Sequence, residues 1–287
     1  MPLKLNFHVE AVDEKKSLGE FLSLQNLSKK SIVALKHRGG RILVDGFEAT
    51  TRYVLGGFET VSVEFADEPV SEALVPVAMD FEIAYEDDFL LVVNKEAGIP
   101  VIPTGHHDIG LGNGILHYYN KIGISSTIHF VNRLDKDTSG LLIVAKYRHI
   151  HHLMTQDIMA VSRKYYAFVE GKMNESRTIN AKIARLSVPS VKREVDETGQ
   201  VAVTHFEPVK NYTEKTLLRC TLETGRTHQI RVHASYIGHP ILNDSLYGNG
   251  IEGDMQLLHS YFLEFRHPVT DEILTFETAV PERFGIY

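Results

Sequence analysis

The sequence predicts an α+β fold with a mixed, mostly antiparallel central sheet, flanking helices, and a small α+β module that precedes it. Alternating apolar runs, often paired across tight turns, outnumber strand-helix-strand repeats. Two apolar, β-branched runs at residues 128–131 and 141–145 bracket a short polar segment, as expected for a loop held between buried strands. A length of 287 residues is long for one ordinary domain and short for three, so we expect two domains.

Two helices are predicted early in the chain. Ser17 and Glu20 have the spacing of a capping box, and apolar residues recur after them with roughly helical spacing. Ser28 is placed to cap a second helix, which ends at Gly39 and Gly40. Both helices therefore belong to the small N-terminal module.

A hairpin, a last strand and a linker complete this module. Residues 41–44 predict a strand that turns at Asp45 and Gly46, and residues 60–65 alternate as another strand. The next stretch combines prolines, acids and small residues, which favours a connector over a packed element. The predicted organisation is a module at 1–66, a linker at 67–80 and a larger domain at 81–287.

Charge and cysteine content limit the function classes. The net charge is -7, but the excess acid is concentrated in residues 67–98 and the flanking pieces are nearly neutral, so an RNA partner is not excluded. The single cysteine, Cys220, lies in an alternating run where burial is favoured over a disulfide, a metal ligand or a nucleophile. Without a leader peptide or a run long enough to cross a bilayer, we expect a cytoplasmic protein. We also expect it to be a monomer.

The polar segment between the two buried runs is the strongest functional signal. On physical grounds alone, such a loop is more often a solvated turn than an active site. Its residues are Arg133-Leu134-Asp135, followed by Thr138-Ser139-Gly140-Leu141-Leu142. This sequence resembles the signature loop of the pseudouridine synthases that modify large-subunit ribosomal RNA, in which the aspartate is catalytic.

Two further stretches extend this resemblance over about residues 85–281. The first is Arg163-Lys164-Tyr165-Tyr166-Ala167-Phe168-Val169-Glu170-Gly171, which alternates as a strand and places Tyr165 at the family's tyrosine. The second is Gly225-Arg226-Thr227-His228-Gln229-Ile230-Arg231, followed by Gly238-His239-Pro240-Ile241-Leu242. Arg231 takes the family's active-site basic position, on a helix that we expect Thr227 to cap.

Three positions depart from the family pattern. Glu96, Asn132 and Asn243 stand where proline, histidine and glycine are usual. None of them is a residue to which the resemblance assigns chemistry, so the departures leave the predicted activity intact.

The resemblance implies that the protein isomerises a uridine in structured ribosomal or transfer RNA without a cofactor. Asp135 would add to the anomeric carbon of the ribose or to carbon 6 of the base, giving a covalent intermediate. Arg231 is expected to hold it ionised through two parallel hydrogen bonds. Tyr165 would either remove a proton from carbon 5 or stack on the base. Arg133 and Arg226 are expected to contact RNA, with Arg133 inserting where the uridine is extruded.

The N-terminal module resembles the small RNA-binding module named after a small-subunit ribosomal protein, mainly in the order of its elements. No acidic residue occurs from position 21 to 44, while basic residues cluster on the second helix and its exit. We expect phosphate contacts from Lys29, Lys30, Lys36 and Arg38. The alternative is a solvated, lysine-bearing helix face.

Two other functions remain open at this point. The chain could be a catalytically inactive RNA-binding protein on the same fold, although Asp135, Tyr165 and Arg231 are all present. It could also be a hydrolase with paired carboxylates, Asp135 and Asp137.

The remaining expectations concern local structure. Residues 81–85 and 89–93 predict a hairpin, residues 103–114 a mobile loop, and residues 148–160 a helix. Histidines at its start lack the spacing of a zinc pair, so a solvated helix face is favoured for His149, His151 and His152. His228 and His233, five positions apart, fail the same test, and no metal is predicted.

Overall fold

A computed structural model of the protein describes residues 3–27, 29–68, 74–103, 109–185 and 191–285. Its contacts divide the chain into two units, residues 1–73 with 118–127 and residues 74–117 with 128–287. Each unit encloses its own cluster of buried apolar side chains.

The N-terminal unit contains a four-stranded antiparallel sheet and two helices. Its elements are β1 (Lys4–His8), α1 (Leu18–Leu24), α2 (Lys29–His37), β2 (Arg41–Val44), β3 (Phe47–Glu48) and β4 (Thr60–Glu64). The strands lie in the order β1-β4-β2-β3. The sequence did not predict β1, because a five-residue edge strand with polar alternate positions carries little periodic signal.

Local signals explain how this unit begins and turns. The Ser17 hydroxyl accepts a hydrogen bond from the Glu20 N–H at 3.3 Å, and the Glu20 carboxylate accepts one from the Ser17 N–H at 2.8 Å, which confirms the capping box. Asp45 and Gly46 have positive φ angles of 48° and 85°, as a tight two-residue hairpin requires. Ser28, the predicted cap of α2, lies outside the described residues.

The second unit holds most of the strands. The elements that follow β4 are β5 (Glu82–Glu86), β6 (Leu90–Lys95), α3 (Leu111–Ile122), β7 (His129–Phe130), β8 (Ser139–Ala145), α4 (Arg148–Gln156), β9 (Ser162–Glu170), β10 (Arg177–Asn180), β11 (Ile183–Ala184), β12 (Glu194–Val195), β13 (Val203–Asn211), β14 (Lys215–Leu222), α5 (Gln229–Tyr236), β15 (Leu258–Arg266) and β16 (Ile273–Glu277).

A ten-stranded sheet organises these elements and confirms the predicted fold class. Its main path runs β10-β13-β14-β9-β15-β8-β6-β5, with β16 beside β15 and β7 beside β8. Strands β8 and β15 are parallel, and the other pairs of this sheet are antiparallel. Every residue of β8 is buried, as its apolar run predicted. The predicted hairpin is formed by β5 and β6.

The expectation of a mobile loop at residues 103–114 is wrong for its last residues, because α3 begins at Leu111. Leu111 and Ile115 are buried, so an apolar face outweighs the poor helix propensity of the glycines. The glycines also permit close packing, since a Cβ on Gly114 would lie 3.0 Å from the Cβ of Met79. Residues 104–108 lie outside the described part of the chain.

Helix α4 forms where a helix was predicted, but it ends at Gln156 and continues as a short 3-10 turn. The prediction of a solvated histidine face is wrong for His149, which is buried; burial lowers the pKa of His149 to about 4. His149 is buried because α4 packs against β7 and β8. His152 is exposed and His151 is half-buried.

Several sequence expectations concern composition and boundaries. Cys220 is buried in β14 and forms no disulfide, as predicted. In the described ranges, no helix is long and apolar enough to span a membrane, and no cluster of three or more metal-ligating side chains occurs. The described end of the predicted linker is bonded to α3, since the Val77 N–H donates to the Asn113 carbonyl at 3.1 Å. The boundaries at 66 and 80 stay predictions.

Candidate active site

The loop between β7 and β8 holds Asp135 in a tight turn. The Thr138 N–H donates to the Asp135 carbonyl at 3.2 Å, and the Thr138 hydroxyl accepts from Gln256 Nε2 at 2.9 Å. Gly140 has a φ of 111°, and a Cβ at this position would lie 2.1 Å from the Ser260 carbonyl oxygen. The glycine of the signature sequence is therefore required for β8 to approach β15.

A buried lysine supports the same turn. The Lys95 side chain is 1% exposed and donates from Nζ to the carbonyl oxygens of Glu96, Ile99 and Lys136 at 2.8, 2.8 and 2.9 Å. Burial lowers the pKa of Lys95 to about 7, although the charges of Asp137 and Asp135 act to raise it. Three acceptors match the three N–H donors of an ammonium group, so the charged form fits this site.

Arg231 connects Asp135 to a second carboxylate, Asp244. Its Nη1 donates to Asp135 Oδ2 at 2.8 Å, while Nε and Nη2 donate to Asp244 Oδ2 and Oδ1 at 2.7 and 2.9 Å. The predicted ion pair with Asp135 is therefore present, but the two parallel hydrogen bonds predicted for it go to Asp244. This difference follows from burial: the Asp244 side chain is 0% exposed and depends on protein donors, whereas Asp135 is 26% exposed.

The electrostatics keep Arg231 and Asp244 ionised. Burial alone would raise the pKa of Asp244, but the hydrogen bond and charge of Arg231, together with the N–H groups of Leu246 and Tyr247, lower it. Burial alone would lower the pKa of Arg231, but Asp244 and Asp135 raise it above its usual value. Both side chains of the buried pair are therefore charged at neutral pH.

The turn before α5 differs from the prediction. Thr227 is not the cap of α5; that position is taken by His228, which has a left-handed φ of 58° and makes no side-chain cap bond. The Gln229 side chain instead accepts hydrogen bonds from the Arg226 N–H at 2.9 Å and the Thr224 hydroxyl at 2.7 Å. The sharp turn places the His228 side chain 3.8 Å from Asp135.

Asp135 opens into a cleft of about 760 Å³, a volume typical of small-ligand sites. Tyr165, from β9, lines this cleft and is buried, and burial raises its pKa. Arg133 and Arg226 also line it, both with exposed side chains. The structure therefore brings together five of the predicted site residues, namely Asp135, Tyr165, Arg231, Arg133 and Arg226.

The cleft also contains a buried cation. Arg163 lies two residues before Tyr165 in β9 and is 5% exposed. Its Nε and Nη2 are buried and have no hydrogen-bond partner within the described ranges. In Arg231, by contrast, the equivalent Nε and Nη2 atoms both donate hydrogen bonds to Asp244. Arg163 therefore keeps unused donors beside the loop that holds Asp135.

The other predicted RNA contacts lie in the N-terminal unit. They are exposed side chains on α2 and directly after it: Lys29, Lys30, Lys36 and Arg38. An open groove of about 940 Å³ in this unit is lined by Lys29 and by side chains of both charges. The described side chains that line this groove include no ion pair between a buried arginine and a carboxylate, unlike the pair of Arg231 and Asp135 in the cleft.

Sequence reasoning missed Asp244, Lys95 and the position of His228. A buried arginine needs a carboxylate that accepts two parallel hydrogen bonds from it. The first acidic residue after Gly238-His239-Pro240-Ile241-Leu242 could therefore have indicated Asp244 as this partner.

The structure explains two of the departures from the family pattern. Asn243 has a φ of 63°, which asparagine tolerates in place of glycine. Asn132 is buried and accepts the Ile143 N–H through Oδ1 at 2.8 Å.

Comparisons with known proteins identify the family of the chain. Residues 89–236 match the RNA pseudouridylate synthase family. The chain is 40% identical to the uncharacterized RNA pseudouridine synthase YjbO of Bacillus subtilis, over 92% of this chain and 95% of that protein. It is 37% identical to ribosomal large subunit pseudouridine synthase D of Pseudomonas aeruginosa, over 86% of this chain and 82% of that protein.

A solved structure shows the same fold. The human RNA pseudouridylate synthase domain containing 1 aligns with a TM-score of 0.59 and 23% identity, over 70% of this chain and 83% of that one. Together with the sequence matches, this places the chain in the RNA pseudouridylate synthase family. It is an RNA pseudouridine synthase, an isomerase that converts uridine in RNA to pseudouridine.

Proposed function

We propose that this synthase acts in the cytoplasm on a uridine of large-subunit ribosomal RNA, with Asp135 as its nucleophile. Relatives named ribosomal large subunit pseudouridine synthase D, from Pseudomonas aeruginosa and Vibrio cholerae, are 37% and 38% identical and support this substrate class. The observation that carries the nucleophile is the asymmetry of the Asp135 carboxylate. Oδ2 is held by Arg231, while Oδ1 accepts no hydrogen bond from the described residues, and Asp135 lines the cleft.

The reaction rearranges one nucleotide without changing its mass. The bond between the anomeric carbon and nitrogen 1 breaks, the base turns, and carbon 5 bonds to the anomeric carbon. Carbon 5 loses a proton and nitrogen 1 gains one. Oδ1 of Asp135 adds to the anomeric carbon or to carbon 6, and either adduct keeps the base attached or close while it turns. The bond to Oδ1 breaks again as carbon 5 bonds to the anomeric carbon, or after that step for the carbon 6 adduct, so the carboxylate is restored.

Tyr165 acts as a stacking surface or a proton donor rather than as a phenolate base. Burial raises its pKa above the ordinary value for tyrosine, so the hydroxyl keeps its proton at neutral pH. Its ring faces the same cleft as Asp135. Stacking on the uracil face would hold the base plane near Oδ1.

Three arginines of the cleft would bind the RNA around the extruded nucleotide. Arg133 is exposed two residues before Asp135, where it can enter the stack that the uridine leaves. Arg226 is exposed on the facing turn, and its Nε donates to the Val201 carbonyl at 3.0 Å, so its terminal nitrogens stay available for phosphate. Arg163 lies in the wall of the cleft, and its buried Nε and Nη2 would bind a phosphate oxygen or a uracil carbonyl only after the side chain turned toward the cleft.

The N-terminal unit would increase the affinity for RNA without contributing a catalytic group. Lys29, Lys30, Lys36 and Arg38 present positive charge in a segment free of acidic residues, which suits a phosphate backbone. We therefore propose that this unit is an RNA-binding module.

Replacement of Asp135 by Asn tests the proposed nucleophile. Asp135→Asn should abolish conversion of uridine to pseudouridine in ribosomal RNA transcripts while RNA binding persists, because the change removes the charge and preserves the shape. Asp137→Asn is the matched control, since Asp137 lies on the same loop but does not line the cleft, and it should retain most activity.

The same assay separates the alternatives. Release of free uracil would identify a hydrolase, and an absence of conversion by the parent protein would contradict large-subunit ribosomal RNA as the substrate. Conversion by Asp135→Asn at the parent's rate would rule out Asp135 as the nucleophile.

A further inference from the structure

His228 occupies a backbone conformation that a histidine adopts only at a cost. Its φ of 58° lies in the left-handed region, which residues other than glycine adopt uncommonly, although asparagine, aspartate and histidine enter it more often than the rest. The side chain is 15% exposed and reaches between Asp135 and Tyr247. Such strain persists where the surrounding contacts hold the residue in place.

The contacts of Tyr247 fix which nitrogen of His228 carries the proton. The Tyr247 hydroxyl oxygen accepts a hydrogen bond from the Arg193 backbone N–H at 2.8 Å. The hydroxyl proton is then free to be donated to His228 Nδ1, which lies 2.9 Å away. This arrangement favours the neutral tautomer of His228 that carries its proton on Nε2. This nitrogen faces Asp135 Oδ1 at 3.8 Å.

We propose that His228 is a positioning residue that donates from Nε2 to Oδ1 of Asp135, the oxygen that Arg231 leaves free. The proposal rests on the proposed role of Asp135 as nucleophile. The present separation exceeds a hydrogen bond by about 1 Å, and catalytic contacts of this kind tighten when substrate fills the site. His228 and Arg231 then fix both oxygens of Asp135, so that its free lone pairs point into the cleft.

The surroundings of His228 make this contact sensitive to pH. Burial lowers the pKa of His228; among the charged groups that face it, Asp135 and Asp244 raise the pKa, while Arg231 and Arg193 lower it. Tyr247 completes the set of facing titratable groups. The imidazole is therefore neutral at neutral pH. Protonation of His228 at a pH below 6.5 would convert its contact with Asp135 into an ion pair and weaken Asp135 as a nucleophile.

Two substitutions separate the Nε2 contact from the backbone turn. Asparagine tolerates the left-handed conformation, but its amide reaches only to the position of Nδ1. Glutamine is longer, and its amide nitrogen can occupy the position of Nε2. We expect His228→Asn to lower kcat about 10- to 100-fold with little change in KM, as when a hydrogen bond to a charged group is removed.

His228→Gln should recover most of the activity and, because it does not titrate, should retain its activity at acidic pH where the parent loses it. His205→Gln, a change at a partly exposed histidine of β13, is the control and should match the parent. A kcat for His228→Asn equal to that of the parent would overturn the proposal, as would identical pH profiles for the parent and His228→Gln.

Nitrogen NMR of the folded parent provides a measurement that does not depend on activity. We expect the signal of His228 to show a protonated Nε2, and Tyr247→Phe to release this preference; a protonated Nδ1 in the parent would overturn the proposal. The activities of Asp135→Asn and His228→Asn together distinguish a wrong role for His228 from a wrong role for Asp135. Full activity of Asp135→Asn removes both, whereas an inactive Asp135→Asn with a fully active His228→Asn removes only the role of His228.

Discussion

The two units of the chain carry positive charge in opposite ways. In the second unit, Arg231 is 7% exposed and donates to two carboxylates from Nη1, Nε and Nη2. In the N-terminal unit, the basic side chains of α2 stand in solvent. A buried, paired charge is costly to disturb and insensitive to salt, whereas an exposed charge is easily removed and is screened. The first kind suits chemistry, and the second suits attraction of RNA.

The largest expected effect comes from breaking the buried pair. Arg231→Ala should abolish conversion and lower the free energy of unfolding by about 3 to 5 kcal/mol, because Asp244 loses the partner that offsets its burial. Denaturant unfolding and the conversion assay measure the two effects. Arg231→Lys should keep part of both stability and activity, since it retains the charge but cannot make the two parallel bonds.

Arg219→Ala is the matched control for stability. Arg219 pairs with Glu207 at 2.9 Å, but both side chains are substantially exposed, so the decrease in stability should be below about 1 kcal/mol. Equal decreases for Arg231→Ala and Arg219→Ala would remove the distinction between buried and exposed charge in this protein.

A smaller effect should follow from removing only the charge of Asp244. The pKa of Asp244 is lowered in the folded state, so its contribution is present above its unfolded value, near 4, and is lost as the pH falls through the folded pKa. Asp244→Asn should therefore destabilise the protein at neutral pH and show a shallower decline of stability in acid. Melting temperatures measured between neutral pH and pH 3 would compare the two proteins. Parallel curves would mean that Asp244 is not ionised.

The smallest effect should come from the exposed charges of α2. Lys30→Gln should weaken RNA binding and make the affinity less dependent on salt. The slope of the logarithm of the binding constant against the logarithm of the salt concentration should become shallower by up to about 0.9 for each duplex phosphate that the lysine no longer neutralises. The kcat at saturating RNA should not change. Lys172→Gln, at an exposed lysine of the second unit, is the control. If Lys30→Gln and the control bind alike at every salt concentration, α2 is a solvated helix face.

Sequence alone predicted the elements whose signals are local. The capping box at Ser17, the turn at Asp45 and Gly46, and the buried strand β8 each follow from a few adjacent residues. It also predicted that Arg231 would meet Asp135, 96 positions away, because the resemblance to a known family placed both in one site.

The features that sequence did not predict depend on residues far apart in the chain. The helix at Leu111 forms in a glycine-rich stretch because its apolar face is covered by other parts of the second unit. The pairing of Asp244 with Arg231 depends on how deeply each side chain is buried, which no local pattern encodes. The left-handed turn at His228 is similarly fixed by its surroundings.

We propose that Arg231, fixed by Asp244, presents one oxygen of Asp135 to the target uridine. A crystal structure of Asp135→Asn bound to its RNA tests this most directly, because the variant should bind without reacting. We expect an extruded uridine in the cleft, with its anomeric carbon or carbon 6 within about 3.5 Å of the side chain at position 135, and with Arg231 still paired to Asp244. A target uridine held elsewhere, or Arg231 turned away from position 135 to bind phosphate, would contradict the account.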